Sequence, residues 1–341
     1  MASKTVAGLV AGLALVSVLA ACGDDDDESA ATQAPVATDA PTPTTAPTAT
    51  TPAPPSTTPA PTATVPPPVT TAGPATTSVA QGPQRIVSLS PTHTEILFAI
   101  GAGDQVVAVD NLSNFPPKAA RVATDMSAYE PNVEAVAGYE PDLVVTDGSN
   151  SEFVSQLDSL DLEHWEGVAP TGFGDVYDQI EQLGAITGHV GEAAELVGQM
   201  QADIEEIIAG MPALDAPLSV YHELDNTYFS VTSDTFIGQI YNRLGLRNIA
   251  DEAETTGGPY PQLNAEFIIS TNPDLIFLAD TKCCDESAET VAARPGWQAI
   301  AAVANGGVVE MDDDIASRWG PRIVDYMRAV ADAVQRAAVP S

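Results

Sequence analysis

The run Thr92-His93-Thr94-Glu95 places an imidazole and a carboxylate two residues apart, and Cys283-Cys284 places two sulfurs side by side. A histidine near a carboxylate can do general acid–base work. The run reads better as a helix capping box, in which the Thr92 hydroxyl and the Glu95 carboxylate satisfy free backbone N–H groups. His93 is then turned toward a cleft, and contact with ligand or metal and plain solvent exposure both stay open. His164, His189 and His222 are scattered without ligand spacing, so no metal site is expected. Gly101-Ala-Gly103-Asp104 imitates a dinucleotide loop, but it follows a helical pattern and lacks the third glycine. With no Gly-x-Ser-x-Gly elbow and no Walker loop either, no catalytic residue is assigned and no enzyme is expected. The two adjacent cysteines can close a vicinal disulfide. Two free thiols or a metal pair are the alternative readings, and the choice stays open.

The elements that position these residues occupy only part of the 341-residue chain. Residues 6–18 are an apolar run behind Lys4, too short for the ~20 residues of a membrane span but suited to a signal peptide. Leu19-Ala-Ala-Cys22 closes it and resembles a bacterial lipobox, so residues 1–21 are expected to be removed and Cys22 to carry lipid. The remaining two cysteines would then lie in a compartment that permits disulfides. Residues 29–83 contain 14 Pro, 16 Thr and 13 Ala and no aromatic residue. Such a segment cannot bury enough apolar surface to order itself, so residues 22–83 are expected to form a disordered tether, reaching on the order of 150 Å. The net charge of −35 excludes nucleic acid or an anionic lipid surface as the main partner.

From residue 84 onward, apolar strand patterns alternate with helical ones. Strands are expected at 85–89, 105–109 and 143–146, with helices at 91–100 and 132–139. A second set of strands at 218–223, 247–249, 274–279 and 307–310 alternates with helices near 235–244, 263–270, 297–303 and 321–337. Such alternation implies βαβ units and mostly parallel sheets. Between the sets, Val190, Ala193, Val197, Met200, Ile204, Ile207 and Met211 recur at helical spacing up to Pro212, preceded by a shorter helix at 175–187. The fold class is therefore α/β: two Rossmann-like lobes, 84–173 and 213–341, joined through 174–212 by one long rigid helix. An internal repeat supports two equivalent lobes. Glu134-Ala-Val-Ala-Gly-Tyr-Glu-Pro141-Asp142-Leu143 aligns with Glu266-Phe-Ile-Ile-Ser-Thr-Asn-Pro273-Asp274-Leu275. Each Glu would gain from a helix N-terminus, and its recurrence points to a paired role.

The stretch Ser88 to Gly103, Asn114-Phe-Pro-Pro117, the two Glu…Pro-Asp-Leu units, Arg294-Pro-Gly-Trp297 and Gly320-Pro-Arg322 together resemble the cobalamin and ferric-siderophore binding proteins of ABC importers. The resemblance covers roughly residues 84–338. It implies a monomeric, lipid-anchored protein on the extracytoplasmic face of a bacterial membrane, with its ligand in a cleft between lobes and no catalysis. It also implies that Glu134 and Glu266 dock on arginines of the membrane permease. Ligands of open α/β sheets sit beyond the carboxyl ends of the strands. Here that means loops 90–94, 110–115, 127–129, 147–150, 222–228, 281–284 and 315–319, with Tyr260. From these, His93, Phe115, Tyr129, Tyr228, Tyr260, Arg318 and Trp319 are the expected ligand contacts. Few basic residues are available to meet an anionic catecholate, so cobalamin or a neutral hydroxamate is expected. Haem binding and a sensory role on the same scaffold are the alternatives, and an extracellular enzyme is a third that the missing nucleophile and base argue against.

Overall fold

The computed structural model describes residues 82–253 and 258–338. The expectations for the leader, for Cys22 and for the tether up to residue 81 lie outside the described residues. The first half contains β1 (Ile86–Ser88), α1 (Pro91–Ala99), β2 (Val106–Val109), α2 (Val133–Ala137), β3 (Leu143–Thr146), α3 (Ser151–Ser159) and β4 (His164–Glu166). Two helices follow, α4 (Phe173–Thr187) and α5 (Val190–Ala209). The second half contains β5 (Ser219–Glu223), α6 (Phe236–Arg243), β6 (Arg247–Asn248), α7 (Ala265–Thr271), β7 (Leu275–Leu278), α8 (Ala288–Ala293), α9 (Ala301–Ala304) and β8 (Val308–Glu310). It ends with α10 (Asp313–Ala316) and α11 (Ile323–Ala338).

The two sheets have the same plan, β2-β1-β3-β4 and β6-β5-β7-β8, with every pairing parallel. Helices cover both faces of the sheets, so their central strands are buried along their whole length. β7 (Leu275–Leu278) is wholly apolar and β3 (Leu143–Thr146) nearly so, whereas β5 carries buried Ser219, His222 and Glu223. The repeated Pro-Asp has a physical purpose in this plan. Asp142 accepts hydrogen bonds from the backbone N–H groups of Gln84 and Arg85, each at 2.8 Å. Asp274 likewise accepts from the Ser219 N–H at 2.8 Å and the Ser219 hydroxyl at 2.7 Å. In each lobe the carboxylate entering the third strand pins the start of the first.

The chain passes between the sheets once, through α4 and α5. Gly188 closes α4 at φ +82°, a left-handed conformation that costs a residue without Cβ little. Ala193, Val197, Met200 and Ile204 of α5 are buried, whereas Val190 is 62% exposed and the helix ends at Ala209, before Met211 and Pro212. A single core runs from Ile86 and Val145 through Ile180 and Met200 to Val220, Phe277 and Tyr326, so both sheets and the linking helices share it. Four of these elements had no counterpart in the sequence pattern: α3, the partly exposed edge strand β4, and the short helices α8 and α10. The capping box expected at Thr92 and Glu95 does not form. Ser90 is the N-cap of α1 and makes no side-chain cap bond, while Glu95 is drawn inward by two arginines.

Candidate ligand-binding cleft

A cleft of about 610 Å³ opens where the loops following β1, β2 and β3 face those following β5 and β7 and the segment around α10. Leu112, Ala128 and Tyr129 line it from the first lobe, and Leu224, Ala279 and Cys283 from the second. Ser90, Thr92, Ser317, Arg318 and Trp319 line it where the lobes meet, and Asn111, Asn114, Asp147, Lys282, Asp313 and Asp314 supply its remaining polar groups.

Buried hydrogen bonds set these loops. Asp110 accepts from the N–H groups of Leu112 and Ser113 at 2.7 and 3.0 Å and from the Ser113 hydroxyl at 2.6 Å, which fixes the turn carrying Asn111 and Asn114. Burial pushes the Asp110 carboxyl upward, against the lowering effect of these bonds. On the other side, Asp313 accepts from three successive N–H groups, those of Thr281, Lys282 and Cys283, each at 2.9 Å, and from the Thr281 hydroxyl at 2.8 Å. The sulfurs of Cys283 and Cys284 in this loop are joined as a disulfide between neighbours.

The cations of the cleft are all engaged by the protein. Arg318, 8% exposed, donates to Glu95 at 2.8 Å, Asp314 at 2.7 Å, Asn114 at 3.0 Å and the Leu112 carbonyl at 3.0 Å. Arg322 donates to both oxygens of the same buried Glu95 at 2.8 and 2.5 Å. Lys282 donates to Asp312 at 2.6 Å and Asp314 at 2.9 Å. Glu95 belongs to α1 and both arginines to the C-terminal segment, so this network ties the lobes together beneath the cleft.

Of the expected ligand contacts, Tyr129 (78% exposed), Arg318 and Trp319 line the cleft together. Tyr260 lies in a smaller hollow of about 80 Å³ beside Pro170, Phe236 and Ile237, which Arg318 and Trp319 also border. Phe115 is 39% exposed but lies outside the lining, its ring beneath the Arg322 guanidinium at 4.3 Å. Tyr228 is likewise outside the lining, stacked on Trp297 at 5.8 Å with Arg294 at 5.6 Å.

His93 is the clear correction. It is wholly buried, hydrogen-bonded to the Ser90 hydroxyl at 2.7 Å and to Gln179 Oε1 at 3.0 Å. Gln179 Oε1 also accepts from Trp319 Nε1 at 3.1 Å, which assigns the proton to His93 Nε2 and makes Nδ1 the acceptor. Burial holds the ring neutral, its pKa lowered to about 4. A Cβ on Gly167 would overlap the His93 ring, so that position requires glycine. His93 therefore supports the junction under Trp319 and is not among the residues that line the cleft.

Asn111, Asn114, Lys282 and Asp313 line the cleft without having been singled out as contacts. All but Asp313 lie on loops the strand-end rule indicates, and Asp313 falls in the acidic run just before the last of them. A second charged network lies behind the Thr281–Cys284 loop. Arg294 donates to Glu223 at 2.6 and 2.5 Å and to Glu286 at 2.8 Å, with Trp297 4.6 Å from its guanidinium. Asp280 beside it is wholly buried, and neither carboxylate oxygen has a partner among the described residues. Burial first, then the charges of Glu223 and Glu286, push its pKa up to about 7. Glu134 and Glu266 are exposed in the first turns of α2 and α7, each behind an Asn cap, Asn132 and Asn264. Neither forms an ion pair among the described residues.

Two equal parallel sheets, a single helical crossing and a cleft at their junction define a two-lobed solute-binding architecture. The chain belongs to the periplasmic binding protein family, whose model matches residues 86–315. It is similar to YvrC of Bacillus subtilis, an ABC transporter substrate-binding lipoprotein described as uncharacterized, with 31% identity over 267 residues, 75% of this chain and 82% of that one. It is also similar to a cobalamin-binding protein of Halobacterium salinarum, with 31% identity over 265 residues, 75% of this chain and 71% of that one. Among solved structures, the periplasmic vitamin B12-binding protein BtuF of Vibrio cholerae superposes with a TM-score of 0.62 at 24% identity, covering 76% of this chain and 99% of that one. The last likeness concerns the fold.

Proposed function

We propose that this substrate-binding protein captures cobalamin outside the cytoplasm and delivers it to an ABC permease. The observation that carries this reading is the charge state of the cleft. Lys282 and Arg318 are both neutralised by the protein's own carboxylates, and among the described residues no other cation lines the cleft. The anionic groups of a catecholate siderophore, or the two carboxylates of haem, would find no free counter-charge there. A corrin is edged by carboxamides, which both donate and accept hydrogen bonds. Asn111 and Asp147 match that chemistry, while Leu112, Tyr129, Leu224 and Ala279 suit its apolar faces.

Glu134 and Glu266 are the permease contacts in this reading. Each is an exposed carboxylate at an equivalent place in its lobe, suited to charge-assisted pairing with arginine. Cys22 is the lipid attachment point, and the Pro/Thr-rich segment gives the monomeric binding unit reach above the membrane.

The test is cobalamin uptake in proteoliposomes containing the permease and its ATPase. Uptake is expected to require the protein. It should fall at least about tenfold in a Glu134→Arg/Glu266→Arg variant whose cobalamin affinity is unchanged, a loss of at least about 1.4 kcal/mol. Undiminished uptake by that variant would remove the docking roles, and uptake independent of the protein would remove the delivery role.

A further inference from the structure

We propose that the disulfide between Cys283 and Cys284 is a ligand-contacting surface of the cleft, and that opening it weakens capture of the cargo. This rests on reading the cleft as the cargo site. A disulfide stabilises a fold chiefly by restricting the unfolded chain, and the effect grows with the length of loop it closes. Between adjacent residues it closes no loop, so fold stability does not account for it. Nor is the bond needed to hold the segment in place. Asp313 grips the backbone N–H groups of Thr281, Lys282 and Cys283, and Lys282 is paired to Asp312 and Asp314. The backbone N–H of Cys284 donates to the Asp280 carbonyl at 3.2 Å.

What the bond does fix is the direction of two side chains. Neighbouring residues ordinarily send their side chains apart, and the Sγ–Sγ bond holds both sulfurs on one side of the chain. Cys283 borders the cleft beside Leu224 and Ala279, facing the lobe that supplies Leu112 and Tyr129. The joined sulfurs extend that apolar wall with a polarisable face that carries no thiol proton. Reduction by a dithiol breaks the Sγ–Sγ bond. The two sulfurs take up two electrons and two protons, and the dithiol becomes its own cyclic disulfide. The side chains are then free to diverge while Asp313 still holds the backbone.

The experiment compares three preparations of the full chain titrated with cyanocobalamin. These are the oxidised protein, the protein reduced with dithiothreitol and desalted under anaerobic conditions, and a Cys283→Ser/Cys284→Ser variant. Reduction and substitution are each expected to raise Kd at least about tenfold. Thermal midpoints should stay within about 2 °C of the oxidised protein. Reoxidation should restore affinity in the native chain and not in the variant. Equal affinity of oxidised and reduced protein would overturn this inference while leaving the cargo reading intact. So would free thiols at Cys283 and Cys284 in the denatured, unreduced protein, or a loss of affinity matched by a loss of thermal stability. No binding by any preparation would overturn the cargo reading and this inference together.

Discussion

Replacing Glu95 with Gln tests whether the junction beneath the cleft is organised as the structure indicates. Glu95 is 2% exposed and receives Arg318 at 2.8 Å on Oε1, and Arg322 at 2.5 Å on Oε1 and 2.8 Å on Oε2. The substitution preserves shape but leaves two largely buried guanidinium groups facing a neutral amide, one end of which is itself a donor. Breaking a buried pair by removing one partner costs about 3–5 kcal/mol. For a folded unit of this size about 1 kcal/mol lowers the melting temperature by about 2 °C, so the expected drop is about 6–10 °C. Urea unfolding should show the same loss as a shifted midpoint with an unchanged m-value. The substitution also frees part of Arg318, which lines the cleft. Affinity for an anionic ferric catecholate should therefore rise as stability falls. A melting temperature within about 2 °C of the native protein would refute the reasoning, because it would mean that the carboxylate is solvated in solution.

Two further outcomes follow from buried ionisable groups. His93 and His222 are wholly buried, and burial lowers their pKa values to about 4 and about 3 from the ordinary 6.5. Their contribution to stability is complete above pH 6.5 and is lost as pH falls toward those values. Asp280, raised to about 7, acts in the opposite sense, because its folded form holds a proton that the unfolded chain releases above its ordinary 3.8. Near pH 5, unfolding therefore takes up about two protons at the histidines and releases about one at Asp280. Denaturant titrations from pH 4.5 to 6 should show stability rising by about 1.4 kcal/mol per pH unit, and a flat or falling profile would contradict the assignment of neutral histidines. Asp280→Asn removes a buried acid whose oxygens have no hydrogen-bond partner among the described residues, and should stabilise the protein, by at least about 1 kcal/mol more at pH 8 than at pH 5. Equal effects at the two pH values would show that Asp280 is already ionised at pH 5.

Much of this architecture is legible in the chain because its signals are local. The apolar runs at Ile86–Ser88, Leu143–Thr146 and Leu275–Leu278 are central strands, and the recurrence of Pro-Asp reports that two lobes share one plan. The edge strand His164–Glu166 has no such run because one side of it faces solvent, and α3 carries only two buried residues, Phe153 and Leu157. The cleft was legible at the level of loops, since its position follows from where strands end. Individual roles were less so, because they depend on partners far along the chain. Glu95 resembles a helix cap until Arg318 and Arg322, more than 220 residues later, are brought against it. His93 lies among polar neighbours at a helix start, and only Gln179, 86 residues on, reveals a buried acceptor. Tyr228 was expected at the cleft because of its place after β5, but its φ of +71° accompanies a ring stacked on Trp297 outside the lining.

The most direct measurement is calorimetric titration of the full chain with aquocobalamin, cyanocobalamin, a ferric hydroxamate, a ferric catecholate and haem. A cleft whose cations are all paired predicts one-to-one cobalamin binding, micromolar or tighter and so at least about 8 kcal/mol. It also predicts that the cationic aquo form binds at least as tightly as the neutral cyano form, with no comparable binding of catecholate or haem. Tight binding of haem or the catecholate with no heat from either cobalamin would contradict the account.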